Sequence, residues 1–255
     1  MGSGPPGSVG IPKPTIEEIL RRDLDHRCPQ GHPCVRVSAV AELPTRFGEF
    51  QVVAFHAPFE EREHAALVKG DITHQENVPV RLHSECLTGD TFGSLRCDCR
   101  DQLELALTEL ARRPLGALLY LRQEGRGIGL ENKIKAYQLQ EWGYDTVEAN
   151  QALGFRADER DYGIAAHMLR SLSVESIELM SNNPDKIRDL TAQGIRVNGR
   201  IPIEARPNPH NRRYLETKRV KAGHLLSPEL GTGLDEQVDC LHRTANPARP
   251  PRARP

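Results

Sequence analysis

The sequence predicts an α/β fold, a layered single domain with a mixed β-sheet flanked by helices. Three observations predict it. Short alternating or apolar runs dominate as far as His83, which is strand grammar. Beyond Cys99 the apolar residues move to helical spacing. Two short, almost purely apolar runs then sit among the helical stretches, as buried strands do when helices cover a sheet.

The elements follow in order. Residues 1–14 are mostly Gly, Pro and Ser and read as a disordered arm. Thr15–His26 suits a short helix, with Thr15 as N-cap and Glu18 three residues on. Strands are expected near Val35–Val40, Phe50–Phe55, Ala65–Val68 and Val78–His83. Leu103, Leu107 and Leu110 mark a helix over Asp101–Arg112, and Leu115–Leu121 reads as a buried strand. Leu130, Ile134 and Tyr137 form the apolar stripe of a second helix; Tyr162, Ala165, Leu169 and Leu172 form that of a third. Ile177–Met180 is a second buried strand, and Asn183-Pro184 opens a helix with Asn as cap and Pro at the first position. Ile195–Ala205 reads as paired strands and Asn211–Leu226 as the last helix. The organisation expected is an extension over 1–40, a folded domain over 41–226 and a disordered tail over 227–255 that ends in NPARPPRARP.

Composition narrows the function classes. Among 255 residues, 38% are hydrophobic and 27% charged, as in a globular protein. The formal net charge of −1 points neither to nucleic acid nor to a membrane surface, so a polyanionic substrate would need a local basic pocket. No apolar stretch approaches the roughly 20 residues of a membrane span. The start, MGSGPPGSVGIPKP, lacks the pattern of a secretory signal.

The cysteines carry the clearest chemistry. Cys86, Cys97 and Cys99 fall in one short run after a predicted strand, and Cys97-Asp-Cys99 suits a metal better than a disulfide. A closed structural zinc site takes four ligands, whereas a catalytic one takes three and leaves a place for water. The bland alternative is a structural knot completed by His83 or a distant residue. A second group, His26, Cys28, His32 and Cys34, has metal-capable types at no recognised spacing and is read as a surface loop. The cysteines also point to a reducing, cytoplasmic setting.

Two polar segments remain. Gln123-Glu-Gly-Arg-Gly-Ile-Gly129 joins a predicted strand to a helix, but its glycine spacing is not that of a dinucleotide loop. Such a turn can still present N–H groups to anions. Arg156-Ala-Asp158-Glu-Arg160-Asp161 is dense in charge and, by composition alone, is a solvated helix start.

The blocks Arg81-Leu-His-Ser-Glu-Cys-Leu-Thr-Gly-Asp90, Cys97-Asp-Cys99, Gln123-Glu-Gly-Arg126 and Gly143-Tyr-Asp-Thr-Val-Glu-Ala-Asn150 resemble GTP cyclohydrolase II, from about Ala41 to about Leu226. The resemblance implies zinc-dependent opening of the guanine imidazole ring, with release of formate and pyrophosphate, as the first step of riboflavin biosynthesis. It implies Cys86, Cys97 and Cys99 as ligands of one Zn²⁺. It also implies GTP contacts at Arg81, Leu82, His83, Ser84, Glu85, Gln102, Glu124, Gly125, Arg126, Thr146, Ser181 and Lys186. The family more often has Thr at position 181, and Ser keeps the hydroxyl. Glu124 could read guanine through its carboxylate, while Arg81, Arg126 and Lys186 could neutralise phosphates.

Asp158 is implied as a proton acceptor, Arg160 as a nucleophile in pyrophosphate release, and Tyr137 as a functional tyrosine near the guanine ring. Arginine stays protonated to above roughly pH 12, so a phosphate clamp is the easier role for Arg160. Mg²⁺ would arrive with the triphosphate. A homodimer is implied by the resemblance alone. A domain making the other riboflavin precursor is often fused in the family, but about 40 residues precede the match, too few for one.

Two rivals stand beside this reading. One is a paralogue of secondary metabolism, or one stopping at a formylated intermediate, against which the presence of Tyr137 argues. The other is a zinc-dependent nucleic-acid-binding module. The balanced charge and the 5% aromatic content disfavour that module, and neither nucleic acid nor membrane is expected as a partner.

Overall fold

The computed structural model describes residues 10–13, 35–156, 158–221 and 223–227. The expected helix Thr15–His26, the group His26, Cys28, His32 and Cys34, and most of the expected tail lie outside them. Among the described residues the chain gathers into two compact units, one of residues 1–85, 99–122 and 161–205, the other of 86–98, 123–160 and 206–255.

The first unit holds the sheet. Its strands are β1 (Arg36–Thr45), β2 (Gly48–His56), β3 (Ala65–Lys69), β4 (Val78–Ser84), β5 (Gly116–Leu121), β6 (Ile177–Met180) and β7 (Val197–Ile201). They lie in the order β1-β2-β3-β5-β4-β6-β7. β1 to β3 and the β3–β5 pair are antiparallel, while β4 runs parallel to β5 and β6, and β6 parallel to β7. This is the mixed sheet expected. Helices α1 (Cys99–Ala111), α4 (Gly163–Ser171) and α5 (Pro184–Ala192) belong to the same unit.

Side-chain alternation divides the sheet between two cores. Val78, Val80 and Leu82 of β4 join Leu119 and Leu121 of β5 and Met168 and Leu169 of α4 in the larger core. Leu118 of β5 turns the other way, to Phe50 and to Ala106, Leu107 and Leu110 of α1. Burying one such leucine completely contributes about 1.5–3 kcal/mol. Arg81 and His83 alternate with the core residues of β4, yet only 5% and 3% of their surface is exposed. The core pattern thus places two polar residues near the carboxyl end of β4.

The second unit contains no strand among its described residues. It consists of the π-helical turn Leu87–Thr91, the turn Glu124–Gly127, and helices α2 (Gly129–Glu141), α3 (Thr146–Ala152) and α6 (Arg212–Val220). α3 begins with a capping box: Asp145 accepts from Val147 N and Glu148 N, and the Glu148 side chain accepts from Asp145 N.

Three expectations change. Ile195–Ala205 supplies one strand, β7, because it pairs in parallel with β6 rather than folding back on itself. The last helix ends at Val220, not Leu226. On α2, Leu130 and Ile134 are 39% and 44% exposed, whereas Lys133 and Ala136 are buried. The stripe read from leucine and isoleucine is therefore the outer face of that helix.

Candidate functional site

Cys86, Cys97 and Cys99 belong to one continuous stretch of chain. Cys86 directly precedes the turn Leu87–Thr91, whose residue Asp90 accepts a hydrogen bond from Cys86 N at 3.0 Å. Cys99 opens α1, where the first helical turn favours negative charge. The three sulfurs lie within 4.8 Å of one another, and Cys86 and Cys97 are 3.8 Å apart. Thiolates sharing a tetrahedral zinc, with bonds of about 2.3 Å, stand about 3.8 Å apart. The donor set and its spacing therefore fit a metal bound through three sulfurs. None of the three is disulfide-bonded.

Asp98, between two of these cysteines, is 1% exposed and accepts from Lys218 Nζ of α6 at 2.7 Å. The Lys218 ammonium also lies 4.5 Å from the Tyr214 ring centroid. A buried pair of this kind fixes position more than it adds stability.

A network extends from Cys86 within the second unit. Lys133 Nζ lies 3.1 Å from Cys86 Sγ and 2.7 Å from Glu124 Oε1. Glu124 Oε1 also accepts from Gly125 N, and Oε2 from Leu87 N, both at 2.7 Å. Thr88 Oγ1 is 3.6 Å from Cys86 Sγ and 3.3 Å from the Tyr137 hydroxyl. Burial opposes charge on Lys133, but Glu124 and the Cys86 sulfur outweigh it and hold its pKa above the ordinary lysine value. Burial raises the Tyr137 phenol, which Thr88 and Lys133 partly counter. Tyr137, which its spacing puts on the helix stripe and the resemblance puts near the guanine ring, is half-buried with its hydroxyl facing Thr88.

The turn that follows Gln123 has an unusual backbone. Gly125 and Arg126 both take left-handed conformations, with φ of 64° and 60°. Such a conformation is uncommon for arginine. Gly127 is required by close packing, since a Cβ there would stand 2.9 Å from the Glu159 carbonyl. Glu159 N in turn donates to Arg126 O at 3.0 Å. That contact brings the charged run beside the turn. Asp158 accepts from Arg160 Nε at 2.9 Å and from Arg160 N at 3.0 Å. Burial would raise the Asp158 pKa, but the Arg160 hydrogen bonds and the charge of Arg126 hold it below the usual aspartate value.

The first unit places its own set at the carboxyl ends of the parallel strands, where open α/β sheets bind ligands. Arg81 Nη1 donates to Met180 O at 2.9 Å, and its Nη2 to Gln102 Oε1 of α1 at 2.5 Å. His83 stacks on Tyr120 with centroids 5.5 Å apart. The Leu82 side chain is in the core, so only its backbone could meet a ligand. Its carbonyl already accepts from Lys186 Nζ of α5 at 2.8 Å. Ser181 follows β6, and its hydroxyl accepts from Asn183 N at 3.0 Å; Asn183 caps α5. Ser84 ends β4, and Glu85 N donates to Leu121 O at 2.8 Å. Thr146, in the second unit, is the first residue of α3.

Sequence reading missed Thr88, Asp98, Lys133 and Lys218. Asp98 was visible as the middle of Cys97-Asp-Cys99, but nothing marked its partner in a distant helix. Lys133 looked like one more polar residue on a helix whose facing was misread.

Comparison with known proteins adds the following. The family model for GTP cyclohydrolase II matches residues 35–202. The riboflavin biosynthesis protein RibBA of Chlorobium phaeovibrioides is 51% identical over 199 residues, covering 78% of this chain and 48% of that protein. RibBA of Bacillus subtilis is 55% identical over 185 residues, covering 72% of this chain and 46% of that protein. The chain thus spans about half the length of the curated relatives it matches. A solved structure, the two-domain 3,4-dihydroxy-2-butanone 4-phosphate synthase RibBX of A. baumannii, gives a TM-score of 0.36 at 17% identity. That match covers 74% of this chain and 44% of RibBX and is too weak to define a shared fold.

Proposed function

The chain belongs to the GTP cyclohydrolase II family, and on that premise we propose that it converts GTP and water into formate, pyrophosphate and 2,5-diamino-6-(5-phospho-ribosylamino)pyrimidin-4(3H)-one, the entry to riboflavin biosynthesis. The observation that carries the reading is the cluster of three sulfurs within 4.8 Å, a donor set for an open catalytic zinc rather than a closed structural one. Cys86, Cys97 and Cys99 would hold the zinc, which would supply Lewis-acid chemistry for ring hydrolysis when bound.

The remaining roles belong to side chains of this protein. Tyr137 holds the ring system or its formyl intermediate through its hydroxyl. Glu124 accepts from the base, but three internal donors occupy about three of its four lone-pair sites, so it offers about one further acceptance. Arg160, aimed by the two Asp158 oxygens, acts as a fixed charge clamp on the phosphates. In this pairing Asp158 orients Arg160, and its lowered pKa makes it a weak proton acceptor. Arg81, Arg126 and Lys186 provide positive charge for the triphosphate and its Mg²⁺. Leu82, His83, Ser84, Glu85, Gln102, Gly125, Thr146 and Ser181 complete the proposed GTP contacts.

The protein works as a homodimer in the cytoplasm in this reading. A second copy would cover apolar side chains of the second unit such as Leu130 and Ile134 on α2 and Phe92, which is 71% exposed. Among the described residues no helix is long and apolar enough to cross a membrane.

The test is one incubation of GTP with the protein, Zn²⁺ and Mg²⁺, with formate and pyrophosphate assayed together and the pyrimidine identified by mass. Equal formation of both small products supports the reading. A formylated end product would favour the early-stopping paralogue, and salt-dependent oligonucleotide binding without GTP turnover would favour the nucleic-acid module.

A further inference from the structure

We infer that Lys133 is a positioning residue of the metal centre, whose ammonium ties the Cys86 sulfur to the Glu124 carboxylate and draws electron density from that sulfur. Lys133 is 8% exposed, and a lysine is rarely buried so far unless paired. Its two partners are a thiol sulfur at 3.1 Å and a carboxylate at 2.7 Å. Glu124 Oε2 also accepts from the backbone N–H of Leu87, the residue after Cys86. Lys133 and Glu124 therefore fix both the sulfur and the chain that carries it. The Thr88 hydroxyl approaches the same sulfur at 3.6 Å and leads on to Tyr137.

This arrangement has an electronic consequence, which rests on the reading of Cys86 as a metal ligand. Three thiolates and one divalent cation sum to a net charge of −1, and Glu124 places another negative charge beside them. The Lys133 ammonium offsets this charge. A charge-assisted hydrogen bond lowers the energy of the sulfur lone pairs, so the sulfur donates less to the metal and the metal becomes the stronger Lewis acid. Lys133 thus acts through Cys86 and need not touch the substrate. The i, i+4 spacing of Lys133 and Tyr137 on α2 puts both on one face of the helix, the ammonium 5.9 Å from the Tyr137 ring centroid.

Cobalt(II) reports on the sulfur directly through its thiolate-to-metal charge-transfer band. The experiment loads the full chain and its Lys133→Met variant with cobalt alone and compares circular dichroism, cobalt content and that band. Expected is a folded Lys133→Met protein with the parent's cobalt content and a band moved to lower energy. Lys133→Arg, which keeps a charged donor with different geometry, should move the band back toward the parent. A purely structural lysine would leave the band in place, so superimposable spectra for parent and Lys133→Met overturn the inference. Should Lys133→Met fail to fold, Lys133→Gln carries the same test: a shift to lower energy supports the role and an unchanged band refutes it. A parent protein that binds no cobalt and shows no such band refutes the metal reading itself, and the inference falls with it.

Discussion

The two units hold their polar residues by different means. In the sheet unit, three residues of the expected site reach backbone: Arg81 bonds to Met180 O as well as to the Gln102 side chain, Lys186 to Leu82 O, and Ser181 to Asn183 N. The backbone of a seven-stranded sheet is fixed by its own ladder, so Lys186 and Ser181 are each placed without help from another side chain. In the helical unit, side chains are tied to one another: Lys133 to Cys86 and Glu124, Arg160 to Asp158, Lys218 to Asp98. Short helices and turns supply no comparable frame, and a network is only as well placed as its members. The difference teaches that single substitutions should stay local in the sheet unit and spread in the helical one.

The largest effect on stability is expected at the Asp98–Lys218 pair. Lys218→Met leaves a carboxylate buried without its cation, which costs about 3–5 kcal/mol, whereas Asp98→Asn with Lys218→Met removes both charges and should recover most of that loss. Denaturant unfolding of the two singles and the double measures the coupling. Additive losses would break the network picture at this point.

Next comes Arg160. Arg160→Ala should slow pyrophosphate release on the order of 10²–10³-fold, the scale for removing a preorganised charge donor. Arg160→Lys should restore part of the rate, because charge survives though the fork does not. A covalent guanylyl adduct trapped on Arg160 would instead establish it as the nucleophile.

Tyr137→Phe separates the chemistry from the packing. The ring stays and the hydroxyl near Thr88 goes, at a stability cost of about 1 kcal/mol. The variant should keep its metal and bind GTP yet yield little finished pyrimidine. Normal product at a normal rate would make Tyr137 a packing residue.

The smallest effect belongs to the sheet unit. Ser181→Ala removes one hydrogen bond at the start of α5 and should cost about 1 kcal/mol without changing metal content. Loss of metal in this variant would erase the contrast between the units.

Most of the sheet was legible because apolar alternation and short apolar runs report burial directly. β3, β5 and β6 lie within a residue or two of where their Ala65, Leu115 and Ile177 runs placed them. β7 was over-read as two strands because its pairing partner is distant in sequence, and periodicity carries no information about partners. The short helix α3 was passed over; its signal, Asp145 with Glu148 three residues on, is a capping box that its few apolar residues did not reinforce.

At the site, the three cysteines were legible because metal ligands must be thiols at restricted spacing. The supporting residues were not. Leu130 and Ile134 drew the eye to the wrong face of α2, and the facing of Lys133 is set by a carboxylate nine positions away, Glu124, and by a sulfur much farther off in the chain. Buried charges are placed by partners, and partners across the fold leave no periodic trace.

Whether Cys86, Cys97 and Cys99 hold the metal that opens the ring is tested by following metal and formate together. Purified parent protein and the Cys86→Ser, Cys97→Ser, Cys99→Ser triple variant are compared for bound zinc by mass spectrometry and for formate released from GTP. The parent should give zinc and formate and the folded triple variant neither, since a hydroxyl is a far weaker zinc ligand than a thiolate. A triple variant that keeps its zinc and releases formate at the parent's rate would contradict that assignment.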